Sequence, residues 1–231
     1  MAQADFSYFS GGLDIATVDR GATAGLAAPP GGGDFVFGFN SLAVANGAVA
    51  LFTNQTNFAP MARGCSVRGC VQRAPSGGAT GFSPFLIACA QGPAVTNHAY
   101  LLGLSDEDPH RIVLRKGAIV AGLADADAPG TLLKSSESFL QGTWLHLRLD
   151  VIVNGNDDVV LQVYRSDLAT RPLSGTPLWT PVPGMAEFID DQLGINAGSQ
   201  PLTSGRAGFG FRCADAGRRA AFDHFEVWRQ L

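Results

Sequence analysis

Carboxylate pairs are the residues of this chain most able to do chemistry, because two facing acids can hydrolyse a glycosidic bond. Two acids on a strand share a face when they are two residues apart. Asp223 and Glu226 are three apart, so we expect them to face opposite ways, and Asp150 has no acid at position 148 or 152. The hydrolase motifs G-x-S-x-G and H-E-x-x-H are also absent. We therefore predict no catalytic residue, and a glycan hydrolase is the least favoured function.

A second group of polar and aromatic residues alternates with apolar residues on two strand-like segments, residues 143–154 and 220–229. If these strands are close, the group forms one patch. Aromatic faces stack on the apolar faces of sugars, and polar groups fix the hydroxyls. A sheet face covered by another subunit explains the same pattern equally well. The predicted glycan or partner face consists of Trp144, His146, Asp150, His224, Glu226 and Trp228.

The cysteines are Cys65, Cys70, Cys89 and Cys213. The first two have C-x4-C spacing, but no histidine stands in ligand register, which disfavours a zinc site. Buried, idle thiols are the ordinary interpretation. The alternative is disulfides that form late, within or between subunits, in a protein made in a reducing cell and used outside it. The sequence leaves the pairing open.

Metal and cofactor signals are weak. Acidic loops at residues 106–108, 125–127 and 157–158 are candidates for calcium, but none has the spacing of a calcium-binding loop. The glycine-rich residues 31–35 precede a strand, not a helix, and so cannot hold phosphate at a helix N-terminus. We expect no resident metal or cofactor, with calcium as the alternative.

The element that would position the predicted face runs over residues 143–154. Leucine and valine at 145, 147, 149, 151 and 153 point one way, and Trp144, His146, Arg148 and Asp150 point the other. Residues 154–158 are a turn by composition. The strand that follows returns antiparallel, with Val159, Leu161 and Val163 facing the same core. These two strands form a predicted hairpin.

Similar patterns elsewhere predict about twelve short strands and very little helix. We expect hairpins around Asn46-Gly47 and around Lys116-Gly117, and an exposed or edge strand over residues 65–73. Residues 84–92 and 98–105 are predicted to be two buried strands joined by a loop. Residues 186–192 are the single candidate for a short helix. The last two strands begin near Arg206 and Ala220.

Composition sets broader bounds. The 231 residues are 46% hydrophobic and 16% charged, which suits a single β domain over residues 1–231. A net charge of −4 without clustered Lys and Arg excludes a broad nucleic-acid surface. The N-terminus lacks the pattern of a signal peptide, and no run is apolar enough for a membrane helix. We expect synthesis in a cytoplasm and no membrane insertion.

The second half of the chain resembles a known superfamily. A tryptophan-led strand, its returning partner, the segment GRAGFGF and the final FDHFEVW resemble the concanavalin A-like jelly rolls, which include laminin-G-like and glucanase-like domains. The resemblance covers residues 140–231. It implies an all-β sandwich of two antiparallel sheets. We expect the phenylalanines of the two closing strands, such as Phe209 and Phe225, to fill the core. This fold hosts lectins, hydrolases and structural modules alike.

A narrower resemblance concerns residues 178–211, LWTPVPGMAEFIDDQLGINAGSQPLTSGRAGFGF, which are similar to proteins encoded among the structural genes of tailed bacteriophages. It implies a non-enzymatic virion component, such as a head decoration or a tail, baseplate or fibre protein. Its partners would be copies of itself or other virion proteins, and it would be made in the host cytoplasm. The alternative function is a lectin-like module that binds cell-surface glycan.

Overall fold

The structure is a computed structural model that describes twelve stretches of the chain. They are residues 6–9, 15–20, 37–41, 47–52, 63–73, 82–91, 98–105, 107–118, 130–166, 178–191, 200–213 and 219–229. These stretches form two antiparallel sheets and contain no helix, which confirms the predicted all-β sandwich. Among the residues described, no helix has the length and apolar character needed to cross a membrane.

Sheet 1 has seven strands. In spatial order they are β1 (Phe6–Phe9), β4 (Gly47–Phe52), β14 (Arg206–Cys213), β6 (Phe82–Ala90), β7 (His98–Leu104), β8 (His110–Ala118) and β9 (Thr131–Phe139). The predicted buried strands β6 and β7 pair with each other, with Leu86 opposite Leu102.

Sheet 2 has eight strands, two of which share one edge. In spatial order they are β12 (Trp179–Pro181), β11 (Val159–Ser166), β10 (Trp144–Val153), β5 (Cys65–Arg73), β15 (Arg219–Arg229), β3 (Phe37–Ser41) and β2 (Ile15–Arg20). The eighth, β13 (Phe188–Asp190), pairs with β11 beside β12. The predicted hairpin of β10 and β11 is confirmed, with Val153 opposite Val159 next to the turn.

The core lies between the sheets because alternate residues of each strand are apolar and point inward. From β10, every second residue from Leu145 to Val151 is buried in it. Phe209 of sheet 1 stacks on Phe222 of sheet 2 with ring centroids 4.8 Å apart. The prediction that Phe209 fills the core is confirmed. The side chain of Phe225 lies outside the described part of the chain.

The predicted edge strand over residues 65–73 is wrong. β5 is central in sheet 2, with β10 on one side and β15 on the other. Ser66, Arg68 and Gln72 misled the prediction because they lie on the face away from the core, where Arg68 pairs with Glu226 of β15. The opposite face carries Cys65, Val67 and Val71, all fully buried.

Both turn-based hairpins are also wrong. β3 and β4, on either side of Asn46-Gly47, lie in different sheets and pair with other strands. β8 continues through Lys116 and Gly117 without a turn, and it pairs antiparallel with the preceding strand β7 and the following strand β9. Residues 119–123 of the predicted second strand lie outside the described residues. Such short turn signals therefore fix neither a change of chain direction nor the pairing of the next strand.

The short helix predicted over residues 186–192 is wrong as well. Phe188–Asp190 is strand β13, which pairs with the start of β11. The edge of sheet 2 offers this segment unpaired backbone groups, and pairing satisfies them. That gain outweighs the weak helical preference of so short a segment.

Candidate functional site

The alternation that fills the core sends the remaining residues of sheet 2 to its far side, which we call the outer face. Its central part is built by β15, β5, β10 and β11. From these strands it contains Glu226 and Trp228, then Ser66, Arg68, Cys70 and Gln72, then Trp144, His146, Arg148 and Asp150, then Gln162 and Tyr164.

The strand register aligns charged residues across this face. Glu226 lies opposite Arg68, and Arg68 lies opposite Arg148 on the next strand. Arg148 in turn lies opposite Tyr164. Like charges directly opposite each other are unfavourable in a sheet. Each arginine of the row is therefore accompanied by a carboxylate.

The first arginine unit is formed by Arg68, Glu226 and Trp228. Nε of Arg68 donates to Oε2 of Glu226 at 2.6 Å, and Nη2 contacts the same oxygen. The guanidinium lies over the Trp228 ring, 4.9 Å from its centroid, and Nε1 of Trp228 donates to Glu226 at 3.3 Å. These contacts hold a carboxylate, a cation and an indole in one fixed arrangement.

The second arginine unit is formed by Arg148, Asp150, Tyr164 and Trp179. Nε and Nη2 of Arg148 donate to the two oxygens of Asp150 at 2.7 and 2.5 Å, a bidentate pair. The guanidinium lies 5.1 Å from the centroid of Tyr164 and 5.9 Å from that of Trp179. Both units therefore have the same composition of arginine, carboxylate and aromatic ring.

Access to the outer face is uneven. Trp228 is 55% exposed, while His146 is buried and packs edge-on against Trp179 at a centroid distance of 4.6 Å. In the second unit, the side chain of Arg148 is 31% exposed and that of Asp150 10%. On this face the indole of Trp228 is the most exposed of these groups, the side chain of Arg148 is partly exposed, and Asp150 and His146 are buried.

The predicted face is assembled in part. Glu226 and Trp228 of β15 share the outer face with His146 and Asp150 of β10, with β5 between the two strands. Trp144 lies on the same face, opposite Gln72. The side chain of His224 lies outside the described residues, so its place in the face stays a prediction.

The expectation that Asp223 and Glu226 face opposite ways assumed a regular strand, but β15 has a bulge between them. β15 shifts register between these two residues, so that Asp223 lies opposite Cys70 and Glu226 opposite Arg68. Cys70 and Arg68 are two apart on β5 and therefore occupy the same face. The bulge thus gives Asp223 and Glu226 equivalent register positions. The side chain of Asp223 is not described.

Sequence reasoning missed four members of the two arginine units: Arg68, Arg148, Tyr164 and Trp179. Arg148 and Tyr164 belong to alternating strands, so the same period-two pattern could have found them. Arg68 belongs to β5, whose sequence predicts an exposed or edge strand, and so it carries no signal for a central position in the face. Trp179 carries no local signal, since its place over His146 depends on β12 pairing with β11.

The cysteines described are all buried. Sγ of Cys65 lies 4.0 Å from Sγ of Cys89, and no disulfide joins them. Cys70 lies on the other face of β5, opposite His146. Cys213 is in β14, but its side chain is not described.

The candidate calcium loops have other partners where they are described. Asp157 pairs with Arg63 at 3.5 Å, and Asp158 accepts a hydrogen bond from Nδ2 of Asn154 at 3.0 Å. Residues 106 and 125–127 lie outside the described residues. Within the described stretches, no group of three or more His, Cys, Asp or Glu side chains could hold a metal ion.

One charged cluster lies inside the sandwich, away from the outer face. Oδ2 of Asp190 accepts hydrogen bonds from Nζ of Lys116 at 2.6 Å and from the hydroxyl of Tyr100 at 2.5 Å. The Tyr100 oxygen accepts the backbone N–H of Leu202 at 2.9 Å. Burial, followed by the bond to Asp190, raises the pKa of Tyr100 far above its ordinary value. The cluster ties sheet 1 to two later segments of the chain.

A second interior cluster surrounds Arg73 at the end of β5. Its Nη1 donates to the carbonyl oxygens of Ser105 at 2.9 Å and Glu107 at 2.6 Å. His110 is fully buried, and neither ring nitrogen has a hydrogen-bond partner among the described residues. Burial, and secondarily the positive charge of Arg73, lowers the pKa of His110 to about 4. His110 is therefore neutral at ordinary pH.

Comparison with known proteins shows the fold. No family model and no curated protein matches the chain. A legume lectin-like domain from Entamoeba histolytica is 7% identical with a TM-score of 0.50, and the match covers 98% of this chain and 90% of that one. The exoplasmic/lumenal domain of VIP36, solved in a Ca2+/Man3GlcNAc-bound form, is 8% identical with a TM-score of 0.51, covering 98% and 86%.

A more distant structure is alginate lyase Aly36B, 14% identical with a TM-score of 0.42 over 86% of this chain and 82% of that one. That likeness is too low to support an argument. The two lectin-like matches place the chain in the lectin-like jelly-roll β-sandwich fold. At such identities they show the fold alone. The virion role stays a prediction.

Proposed function

We propose that this protein is a carbohydrate-binding module whose ligand lies on the outer face of sheet 2. The observation that carries the proposal is the exposed indole of Trp228, held in place by the Arg68–Glu226 pair. An exposed indole leaves apolar surface in contact with water and contributes little to the core. An aromatic ring beside fixed polar groups is typical of a sugar-binding site, since the ring stacks on the C–H groups of the sugar and the polar groups hydrogen-bond its hydroxyls.

The two arginine units supply the polar part of this recognition. A guanidinium has five N–H donors, and a carboxylate partner occupies only some of them. The remaining donors of Arg148 are available to sugar hydroxyls, and the carboxylate oxygens are acceptors. Because each arginine is already fixed by its carboxylate, little side-chain entropy is lost when a ligand binds.

The length of the charged row fits a ligand of more than one sugar ring. The row from Glu226 to Tyr164 crosses four adjacent strands. With neighbouring strands about 4.8 Å apart, it spans roughly 14 Å. The named relatives support a sugar ligand by analogy of fold only. The VIP36 domain was solved with Man3GlcNAc, and the Entamoeba histolytica domain is legume lectin-like.

Binding without hydrolysis fits the carboxylates of the face. Asp150 and Glu226 are each hydrogen-bonded to an arginine. Their oxygens already hold the two guanidinium groups in place, so they help to build a rigid binding surface. We therefore propose a binding role for these carboxylates.

A structural role in a virion is the second candidate, and one observation favours it. The exposed apolar residues Leu178 and Ile189 lie along β12 and β13, at the edge of sheet 2. An apolar sheet edge suits contact with another copy or another particle protein. Native mass measurement tests this role. A multimer of defined stoichiometry supports it, and a monomer at all concentrations counts against it.

The experiment for the glycan role is binding of the purified protein to an array of neutral and acidic glycans, with hits confirmed by calorimetry. Trp228→Ala should weaken binding at least about tenfold, or ~1.4 kcal/mol. Its melting temperature should change little, because the indole is half exposed. Leu140→Ala is the matched control, since Leu140 is also exposed and apolar but lies between β9 and β10. Absence of any glycan hit, or equal binding by Trp228→Ala, would overturn the proposal.

A further inference from the structure

Two buried thiols face each other across the sandwich. Cys65 is the first residue of β5 in sheet 2, and Cys89 is near the end of β6 in sheet 1. Both side chains are fully buried in the core, and their sulfur atoms are 4.0 Å apart. A disulfide needs an S–S distance of about 2.05 Å, so the two sulfur atoms must approach each other by about 2 Å to form one.

The backbone around these two cysteines is anchored on a single segment, residues 203–205. The N–H of Gly64, next to Cys65, donates to the carbonyl oxygen of Thr203 at 2.7 Å. Gly205 packs so closely on Cys89 that a Cβ at position 205 would lie 2.5 Å from the Cys89 carbonyl carbon. The thiols are thus held near each other by contacts that do not involve sulfur.

The conformation of Cys89 shows how firmly its position is fixed. Its φ is 54°, a left-handed value that costs energy for any residue with a Cβ. The side chain of Gln91 donates to the Cys89 carbonyl oxygen at 3.0 Å and to that of Ser204 at 2.6 Å. This bridge joins the backbone of the strained residue to the segment that also contacts Gly64.

Cys70 cannot compete for either thiol within the folded chain. It is five residues from Cys65 on the same strand and lies on the outer face, opposite His146. β5 itself therefore separates it from the core. Cys65 and Cys89 are the one pair of thiols, among the described residues, that share an environment.

We propose that Cys65 and Cys89 are an oxidisable pair whose disulfide joins the two sheets. The oxidant is a low-molecular-weight disulfide such as glutathione disulfide. One cysteine thiolate attacks it, forming a mixed disulfide and releasing one glutathione thiolate. The second cysteine thiolate displaces the other glutathione and closes the bridge. Two protons leave the protein, the cysteines are oxidised, and one glutathione disulfide is reduced to two thiols.

The reaction belongs to folding or opening of the chain, not to the closed native state. The thiols are inaccessible in the closed sandwich. The hydrogen bond to Cys65, together with burial, raises the pKa of Cys89 well above its ordinary value and so removes the reactive thiolate. Protein folded in a reducing cell would keep both thiols, and protein that folds or opens under oxidising conditions would gain the bridge.

The test is refolding of the full chain from denaturant, in parallel, with a glutathione redox couple and with excess reductant. Each product is then denatured, alkylated and measured by mass spectrometry, and its peptides are mapped without reduction. We expect four alkylated cysteines after reducing refolding and two fewer after oxidising refolding, with a Cys65–Cys89 peptide pair. The bridge closes a separation of 24 residues and should raise the Tm by roughly 5–10 °C.

Matched variants come from the same strand. Cys65→Ser should abolish the bridge and the rise in Tm, whereas Cys70→Ser should leave both unchanged. The peptide map of the unmodified sequence tests the proposal even if a variant fails to fold. Four alkylated cysteines after oxidising refolding, a bridge that involves Cys70 or Cys213, or linkage between chains would each overturn it.

Discussion

Two clusters of this protein each combine a cationic side chain, an aromatic ring and a carboxylate, but one is buried and the other lies on the outer face. Inside the sandwich, Lys116 and Tyr100 both donate to the carboxylate of Asp190. On the outer face, Arg68 and Trp228 both donate to the carboxylate of Glu226. In each cluster the cation also lies over the aromatic ring, at 5.9 Å from its centroid inside and 4.9 Å outside.

Burial gives the two clusters different roles. The side chains of Lys116 and Asp190 are 1% and 0% exposed, whereas those of Arg68 and Glu226 are 16% and 29% exposed. A charge buried without water depends on its partner, and losing that partner is costly. An ion pair that reaches solvent contributes little to stability. The outer pair should therefore contribute less to stability than the inner pair.

The largest effect should come from Asp190→Asn, which keeps the shape of the side chain and removes its charge. Lys116 would then be a buried cation without its carboxylate, and the free energy of unfolding should fall by about 3–5 kcal/mol. Urea unfolding followed by fluorescence measures the loss. As a control, the double variant Lys116→Met/Asp190→Leu removes both charges and should be less destabilised than Asp190→Asn. A loss below about 1 kcal/mol for Asp190→Asn would remove the contrast between the clusters.

His110 gives a smaller, pH-dependent effect that also tests burial. Its pKa is lowered to about 4 in the folded protein by burial and by Arg73, against about 6.5 when unfolded. The unfolded chain therefore binds the proton first as pH falls. Stability should decrease from about pH 6.5 to about pH 4 and then level off, a loss of roughly 2–4 kcal/mol.

The measurement for His110 is the free energy of unfolding against pH, for the unmodified protein and for His110→Leu. The difference between the two curves should slope through this window and be flat above it. His98→Gln is the control for replacing a histidine, because His98 is exposed on β7. A difference curve for His110→Leu that is flat throughout would show that His110 is solvated in the folded state.

The elements predicted well from sequence are those whose pattern is local. Apolar and polar residues alternate along β10 because one of its faces is buried in the core. Leu145, Leu147 and Leu149 show this pattern in the sequence alone, whatever strand lies beside them. The antiparallel return of β11 follows from a short turn. Its register is fixed at the turn, where Asn154 Oδ1 accepts the backbone N–H groups of Asn156 and Asp158.

The elements predicted poorly depend on distant partners. Lys116 beside a glycine indicates a turn, yet it points into the sandwich because Asp190, 74 residues later, compensates its charge. Arg68 indicates an exposed strand, yet it is central because Glu226, 158 residues later, pairs with it. No local pattern contains these pairs. The candidate site was therefore predicted strand by strand, while its arginine units became visible only in the structure.

The smallest effect on stability should come from Glu226→Gln, the outer counterpart of Asp190→Asn. The amide keeps an oxygen for Arg68, and both side chains reach solvent, so the free energy of unfolding should change by less than about 1 kcal/mol. Binding to any glycan that depends on Trp228 should nevertheless weaken several-fold. The reason is that Glu226 fixes both the guanidinium and the indole of that unit.

Urea unfolding and calorimetric titration of Glu226→Gln separate the two roles, because one reports stability and the other reports the site. Glu187→Gln is a suitable control, because Glu187 is an exposed acid near the same face. It accepts a hydrogen bond from Gln162 at 3.3 Å, and Gln162 lies opposite Asp150. If Glu226→Gln destabilises the fold as strongly as Asp190→Asn, the Arg68 unit is part of the structural framework. The exposed indole would then need another explanation than a sugar.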